Sequence, residues 1–243
     1  MDSGLMLRNQ FTIKLAGINI QINTVSPRTC ILCRNYFSDE DPDITVNVTS
    51  EDVENEFRKT ENAEQKEVFL ETVAVYRKIL DSILPFNIFL MHGAVIAHKN
   101  EAFMFTAPSG TGKTTHIRKW LQKASDTIIV NGDKPLIKID NNIVYACGTP
   151  WSGNEHLNTN TIVPLKAIVF LERCEENHIC EISFVEAYTR LLQQTHMPYD
   201  PEKAKETLNL LLQLSGKVRF YRFQCNNFKD DCFDTAYNAL VNN

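Results

Sequence analysis

Short runs in which apolar and polar residues alternate open the chain and predict β structure. Residues 11–22 alternate on either side of Gly17, as two half-buried strands or one strand with a bulge would. Residues 44–48 predict a further strand. From Asn62 to Leu84 the apolar positions instead recur at helical spacing, which predicts a helix. We therefore expect a small β-rich N-terminal subdomain with a connecting helix over residues 1–86.

A strongly charged stretch, residues 52–61, precedes that helix and carries no recognisable motif. Such stretches are usually solvated, so we expect a mobile loop here. The acidic run Ser38–Asp43 contains a proline and lacks the glycine and spaced ligands of a calcium site, which indicates a solvated loop. Our hypothesis is that the N-terminal subdomain recognises a substrate or forms a homo-oligomer interface.

The second part of the chain mixes strands and helices, which is typical of an α/β domain. One hairpin is expected over residues 93–106, with its turn at Lys99-Asn100, and another over residues 136–147. We expect strand 127–130 to lie next to strand 102–106, and strand 179–182 to pair with strand 164–171. The other expected elements are a strand over 218–223 and helices over 115–123, 184–194, 202–214 and 231–241.

The candidate chemistry centres on the run Ala107-Pro-Ser-Gly-Thr-Gly-Lys-Thr-Thr115. It matches the phosphate-binding loop (P-loop) pattern, with Ala107 at the first glycine position. The two glycines let backbone N–H groups turn toward a polyphosphate, while Lys113 would reach the β- and γ-phosphates and Thr114 would bind magnesium. The expected nucleotide-binding residues are Ser109, Gly110, Thr111, Gly112, Lys113, Thr114 and Thr115.

A second candidate group follows the strand at 127–130. Asp133 would lie at the tip of this strand, where a magnesium ligand or a catalytic base is expected. Gly132 and Pro135 beside it also suit a structural turn aspartate. The hairpin expected over residues 136–147 would bring the loop 148–155 back to the edge of the sheet where Asp133 lies. Two glycines, a proline and a tryptophan in that loop suit ligand contact and a plain structural turn equally well.

Composition narrows the range of partners and compartments. The chain has 243 residues, 43% of them hydrophobic, which is enough for one large domain or a domain with an appendage. A net charge of −5 without clustered Lys and Arg argues against a nucleic-acid partner. No apolar run approaches the ~20 residues of a membrane span and no signal peptide is recognisable, so we expect a cytoplasmic protein without membrane association. The seven cysteines are then expected as reduced thiols, and Cys30-Ile-Leu-Cys33 lacks the second half of a zinc site.

Three motifs together resemble the catalytic domain of HPr kinase/phosphorylase, in particular its small relatives that phosphorylate a peptide during ribosomal peptide biosynthesis. They are Met91-His-Gly-Ala-Val95, the run from Ala107 to Thr115, and Val130-Asn-Gly-Asp133. The resemblance implies a nucleotide-binding catalytic domain over residues 87–243 with a fold akin to phosphoenolpyruvate carboxykinase, in which a mixed sheet with flanking helices carries the P-loop. It also implies phosphoryl transfer from ATP, with Mg²⁺, to a Ser/Thr hydroxyl of a small protein or peptide.

By the same resemblance, His92 matches the family's histidine beside the phosphates, and Asp133 matches the second of two adjacent aspartates. The first aspartate is replaced by Gly132, which argues against the family's reverse, phosphate-removing activity. Glu155 or His156 could replace the missing side chain. The resemblance thus implies the catalytic residues Asp133, His92 and Lys113, and the magnesium ligands Thr114 and Asp133.

Two other functions fit the same residues. A nucleotide-dependent switch or peptide-binding module would hold ATP without turnover, which a lone aspartate at position 133 would suit. A small-molecule kinase has less support, because few arginines follow the loop to build a phosphate-clamping lid.

Overall fold

The computed structural model describes residues 7–59 and 67–242, and the chain divides into two compact units after Phe86. The first unit contains a three-stranded sheet in the order β1-β2-β3, formed by β1 (Gln10–Leu15), β2 (Ile18–Asn23) and β3 (Ile44–Asn47). β1 and β2 are antiparallel, and β3 is parallel to β2. A turn at Ala16-Gly17, with φ of 51° and 85°, ends β1. The prediction of two strands is therefore confirmed.

The described residues of the same unit also form the α-helices α1 (Thr29–Cys33), α2 (Ser50–Lys59) and α3 (Glu67–Ile83). α3 confirms the predicted helix from residue 67 onward, while residues 60–66 lie outside the described chain. Its buried Glu71 accepts hydrogen bonds from the backbone N–H groups of Val25 and Ser26 (2.8 Å each) and from Thr29 Oγ1 (2.5 Å). These bonds attach the segment before α1 to the α3 helix.

The prediction of a mobile loop before α3 is wrong, because α2 occupies that stretch as far as residue 59. Asp52 Oδ2 accepts hydrogen bonds from the N–H and the hydroxyl of Thr49 (2.8 Å each), which caps the start of the helix. Glu56 is buried and pairs with Arg77 Nε of α3 at 2.8 Å. The charges in this stretch are thus spaced for a helix that buries one face against its neighbour.

The second unit is a mixed sheet with flanking helices, as predicted. Its strands follow the order β4-β8-β9-β10-β6-β5-β7, while β12 pairs with β10 and β11 pairs with β12. The strands are β4 (Ile88–Leu90), β5 (Ala94–His98), β6 (Glu101–Thr106), β7 (Thr127–Asn131), β8 (Leu136–Asp140), β9 (Ile143–Cys147), β10 (Ile162–Arg173), β11 (His178–Ile182) and β12 (Arg219–Cys225). The helices are α4 (Lys113–Lys123), α5 (Phe184–Gln194), α6 (Pro201–Leu212) and α7 (Cys232–Leu240).

β6 leads into the glycine-rich run and lies between β10, which is parallel to it, and β5, which is antiparallel. The predicted β5–β6 hairpin is confirmed, and both turn residues, Lys99 and Asn100, have the positive φ that such a turn requires. β7 pairs with the other edge of β5. The expectation that strand 127–130 lies next to strand 102–106 is therefore wrong, because β5 and β10 occupy both edges of β6.

The expected pairing of strand 179–182 with strand 164–171 is also wrong. β12 lies parallel to β10 and separates it from β11, which pairs antiparallel with β12. The helix that follows β11 begins as predicted, since the side chain of Ser183 accepts a hydrogen bond from the Glu186 N–H at 3.2 Å.

An aromatic core packs α4 and α7 against this sheet. The fully buried Trp120 of α4 stacks on Phe103 of β6, with ring centroids 5.8 Å apart, and meets Phe233 of α7 edge-on at 5.3 Å. Burying a large apolar side chain contributes about 1.5–3 kcal/mol. This packing fixes α4 relative to β6, and with it the connection between them.

All seven cysteines are free thiols. None of the helices within residues 7–59 and 67–242 is both long and apolar enough to span a membrane.

Candidate functional site

The glycine-rich run connects β6 to α4, in the strand-loop-helix context predicted from sequence, although α4 begins at Lys113 rather than Thr115. Gly110 and Gly112 have φ of 77° and 108°, which glycine adopts without strain. Gly112 is the N-cap residue of α4; no described side chain caps that end, and the first turn carries no acidic residue. The first N–H groups of α4 and the positive end of its dipole therefore suit an anion.

A cavity of about 500 Å³ lies at this end of α4, a volume typical of small-molecule sites. It brings together Asp133 and the predicted loop residues except Thr111, whose hydroxyl instead donates to the carbonyl of Pro108 at 2.9 Å. The cavity is lined by Ser109, Gly110, Gly112, Lys113, Thr114 and Thr115, by Gly132 and Asp133, and by Ser152, Gly153, Asn154, Glu155 and Leu157.

The ammonium of Lys113 folds back over the start of its own loop. Its Nζ donates to the carbonyl oxygens of Ala107 (2.8 Å) and Pro108 (3.3 Å). Burial lowers the pKa of Lys113, and the carboxylate of Asp133 opposes that shift. The cation and the carboxylate both line the cavity and thus lie within electrostatic reach of each other.

A network of hydrogen bonds fixes the backbone of Asp133. The buried Asn131 accepts at Oδ1 from the N–H groups of Asp133 (2.8 Å) and Lys134 (2.7 Å), and its Nδ2 donates to the Thr149 carbonyl (3.0 Å). The Asp133 carbonyl accepts from the Gly93 N–H at 3.0 Å. Asp133 is therefore both a turn residue and a cavity residue, so the turn interpretation is compatible with a position at the cavity.

Packing explains why glycine, not a second aspartate, precedes Asp133. A Cβ atom at Gly132 would lie 3.2 Å from the Ser152 carbonyl oxygen and 3.4 Å from Leu157 Cβ, so a side chain there would require its neighbours to move. Gly153 is equally close, since its Cβ would lie 3.2 Å from Asp133 Cβ. Position 132 therefore has little room for a second carboxylate.

His92 is half-buried and does not line the cavity. Its N–H donates to the Gln194 carbonyl (2.6 Å), and its carbonyl accepts from Thr106 Oγ1 (2.6 Å). Burial lowers the pKa of His92, the positive charge of Lys134 lowers it further, and Asp133 opposes both. A neutral imidazole near the cavity is thus favoured at neutral pH.

Of the two predicted substitutes for the missing carboxylate, Glu155 lines the cavity and His156 does not. Glu155 pairs with Arg118 Nη2 of α4 at 2.5 Å. His156 is exposed and has a positive φ of 52°, in a turn where its N–H donates to the Gly153 carbonyl at 3.2 Å. Glu155 is therefore the second carboxylate of the cavity.

Sequence reasoning missed two residues that hold the loop from outside. Asn227 Nδ2 donates to the Gly112 carbonyl at 3.2 Å, and the guanidinium of Arg173 donates to the Gly110 carbonyl. Asn227 lies far along the chain and carries no local signal. Arg173 ends β10, so the parallel pairing of β10 with β6 would have indicated its position, because parallel strands end at the same edge of a sheet.

Within the described parts of the chain, no group of three His, Cys, Asp or Glu side chains could hold a metal ion. Magnesium at nucleotide sites needs only one or two protein oxygens, since phosphate oxygens and water complete its shell. The hydroxyl of Thr114 and the carboxylate of Asp133, both at the cavity, fit that donor set.

Comparison with solved structures finds the HPr(Ser) kinase/phosphatase from Coxiella burnetii, which is 10% identical to this chain with a TM-score of 0.38. The match covers 63% of this chain and 97% of that one. Similarity at this level assigns neither a family nor a function. No family model matches the sequence, and no curated protein matches it.

Proposed function

We propose that this protein is an ATP- and magnesium-dependent kinase that transfers the γ-phosphoryl group to a Ser or Thr hydroxyl of a small protein or peptide. One observation carries the proposal: the uncapped start of α4, Lys113 and Asp133 line a single cavity of about 500 Å³. The sequence motifs that resemble HPr kinase/phosphorylase support the same chemistry, as do the positive φ angles of Gly110 and Gly112.

In this proposal the loop and the start of α4 bind the phosphates through backbone N–H groups, and Lys113 supplies a positive charge beside them. Thr114 and Asp133 would hold magnesium, which neutralises charge on the phosphates when bound. Phosphoryl transfer depends mainly on positioning and charge neutralisation, and this arrangement supplies both. The neutral His92 adds no positive charge near the lysine.

Asp133 is also the proposed proton acceptor. The acceptor hydroxyl gives its proton to the carboxylate while its oxygen bonds to the γ-phosphorus, and the bond from that phosphorus to the β,γ-bridging oxygen breaks to leave ADP. Asp133 is thus proposed as both a metal ligand and a base, roles for which the resembled family has two aspartates. Glu155, which also lines the cavity, is the candidate for sharing these roles.

A nucleotide-dependent switch without turnover is the second candidate, and the crowding at Gly132 favours it. With little room for a second aspartate at position 132, the cavity suits nucleotide retention as well as catalysis. The two functions differ in ATP turnover, which a kinase carries out and the switch does not.

The test is transfer of γ-labelled phosphate from ATP, with magnesium, into polypeptides of the host cell's lysate. We expect label in a discrete polypeptide with the parent protein and none with Lys113→Ala, because that variant loses charge-assisted phosphate contacts, which are worth about 1.5–3 kcal/mol each. Lys119→Ala, which removes a charge from the same helix, is the matched control and should transfer label normally. Tight ATP binding without any labelled polypeptide would favour the switch.

A further inference from the structure

A second cavity, of about 320 Å³, lies against the glycine-rich loop and shares no lining residue with the first. Its walls come from the loop, from the end of β10 and from the last turn of α5. Its polar and charged lining residues are Thr106, Thr111, Glu172, Arg173, Arg190, Gln193 and Gln194. The loop residues alternate between the two cavities, since Ser109, Gly110 and Gly112 line the first whereas Pro108 and Thr111 line the second.

The two arginines of this second cavity differ in their partners. Arg190 Nη1 pairs with Glu172 at 2.6 Å, and its guanidinium lies 5.9 Å from the ring centre of Phe170, so its charge is balanced locally. Arg173 is exposed and donates to the carbonyl of Gly110. Among the residues that the structure describes, no carboxylate forms an ion pair with Arg173. The wall nearest the loop therefore carries an unbalanced positive charge.

Contacts through the walls link this cavity to the proposed phosphate site. Lys113 Nζ donates to the carbonyls of Ala107 (2.8 Å) and Pro108 (3.3 Å), which both line the second cavity. His92 is bonded on either side to Thr106 and Gln194, two further lining residues. A ligand in the second cavity would thus lie across the loop from the nucleotide, next to the backbone groups that hold the lysine.

We propose that the second cavity binds the acceptor polypeptide through an acidic side chain near the residue to be phosphorylated. This inference rests on the proposed kinase function. Arg173 provides the charge that selects a carboxylate, and the side-chain amides of Gln193 and Gln194 can both donate to and accept from a peptide backbone. All the proposed nucleotide-binding residues except Thr111 line the first cavity, and the two cavities share no lining residue, so the second is free for the acceptor.

The test compares two fluorescein-labelled serine peptides of equal length, one carrying glutamates around the serine and one carrying lysines. Their binding to the full-length protein is followed by fluorescence polarisation with magnesium and a non-hydrolysable ATP analogue present. We expect the parent protein to bind the acidic peptide about tenfold more tightly than the basic one, as one charge-assisted contact provides.

The decisive variant is Gln193→Glu, which keeps the shape of the cavity wall and adds a negative charge. It should reduce the preference for the acidic peptide by about fivefold, the effect of one charge about 4 Å away in water. Gln122→Glu is the matched control, because Gln122 is likewise exposed and penultimate in an α-helix of 11 residues. It should leave the preference unchanged.

Two results would overturn the inference: no preference between the peptides in the parent, or equal behaviour of the two glutamate variants. Weaker binding of the ATP analogue to Gln193→Glu would also overturn it, since the second cavity would then belong to the nucleotide site. Failure of the parent to bind the ATP analogue at all would instead contradict the proposed function, so the two failures are distinguishable.

Discussion

The two loop glycines provide a matched pair of substitutions that tests how the loop is held. Gly110 and Gly112 both have positive φ, so alanine at either position costs about 1–2 kcal/mol of backbone strain. Around a Cβ at position 110 no atom lies within 4 Å, whereas a Cβ at position 112 would lie 2.6 Å from Asn227 Nδ2. Gly112→Ala therefore has to displace Asn227, and Gly110→Ala does not.

The displacement has a calculable cost. It breaks the 3.2 Å hydrogen bond from Asn227 Nδ2 to the Gly112 carbonyl, and such bonds contribute about 0.5–1.5 kcal/mol. It also disturbs Asn227 Oδ1, which lies 3.3 Å from His116 Nδ1 and 3.4 Å from Cys232 Sγ. We expect Gly112→Ala to lower the free energy of unfolding by about 1.5–3.5 kcal/mol and Gly110→Ala by about 1–2 kcal/mol.

Urea unfolding followed by tryptophan fluorescence measures this difference, because both tryptophans, Trp120 and Trp151, lie in the second unit. Asn227→Ala in each background completes the test. It should cost less stability in the Gly112→Ala background than in the parent, since the contact is already lost. Equal destabilisation by the two glycine substitutions, or an equal cost of Asn227→Ala in both backgrounds, would refute the reasoning.

Three further predictions concern Glu71, His92 and Gly132. Glu71→Gln should destabilise the first unit by about 1–3 kcal/mol, seen by circular dichroism during urea unfolding, because the carboxylate accepts three hydrogen bonds. Burial lowers the pKa of His92 from its ordinary 6.5, so the unfolded chain takes up this proton first as the pH falls. Stability should therefore decline below about pH 6.5, and His92→Gln should flatten this part of the pH curve. Gly132→Asp should lower the urea midpoint and fail to raise activity, because its Cβ would lie 3.2 Å from the Ser152 carbonyl oxygen.

Local patterns in the sequence were enough to predict both hairpins, the helix at 67–83 and the strand-loop-helix around the glycine-rich run. Each of these depends on periodicity or turn chemistry within a short stretch, such as the two residues of positive φ at Lys99 and Asn100. The same local logic failed for α2, where a high density of charged residues concealed a helix that buries Glu56 against Arg77. The buried face of such a charged helix can be recognised only when the helix it packs against is known.

Strand order and the outer parts of the site could not be predicted in this way. β12 separates β10 from β11, and β5 separates β6 from β7, because of pairings between distant segments that no local pattern records. Asn227 reaches Gly112 across 115 positions of the chain for the same reason. Asp133 lines the predicted cavity even though β7, the strand before it, is not adjacent to β6. The turn built by Asn131 carries Asp133 to the cavity.

The most direct test of the account measures ATP binding and phosphate transfer together in Asp133→Asn, and compares them with Glu155→Gln, the same change at the other carboxylate that lines the cavity. With magnesium present, we expect Asp133→Asn still to bind ATP, through the loop backbone and Lys113, while transfer falls by about 10²–10⁴-fold, the usual contribution of a general base. Glu155→Gln should retain more activity, because that carboxylate is already paired with Arg118. Undiminished transfer by Asp133→Asn would contradict the role given to this aspartate, and a parent protein that neither binds ATP nor transfers phosphate would contradict the account as a whole.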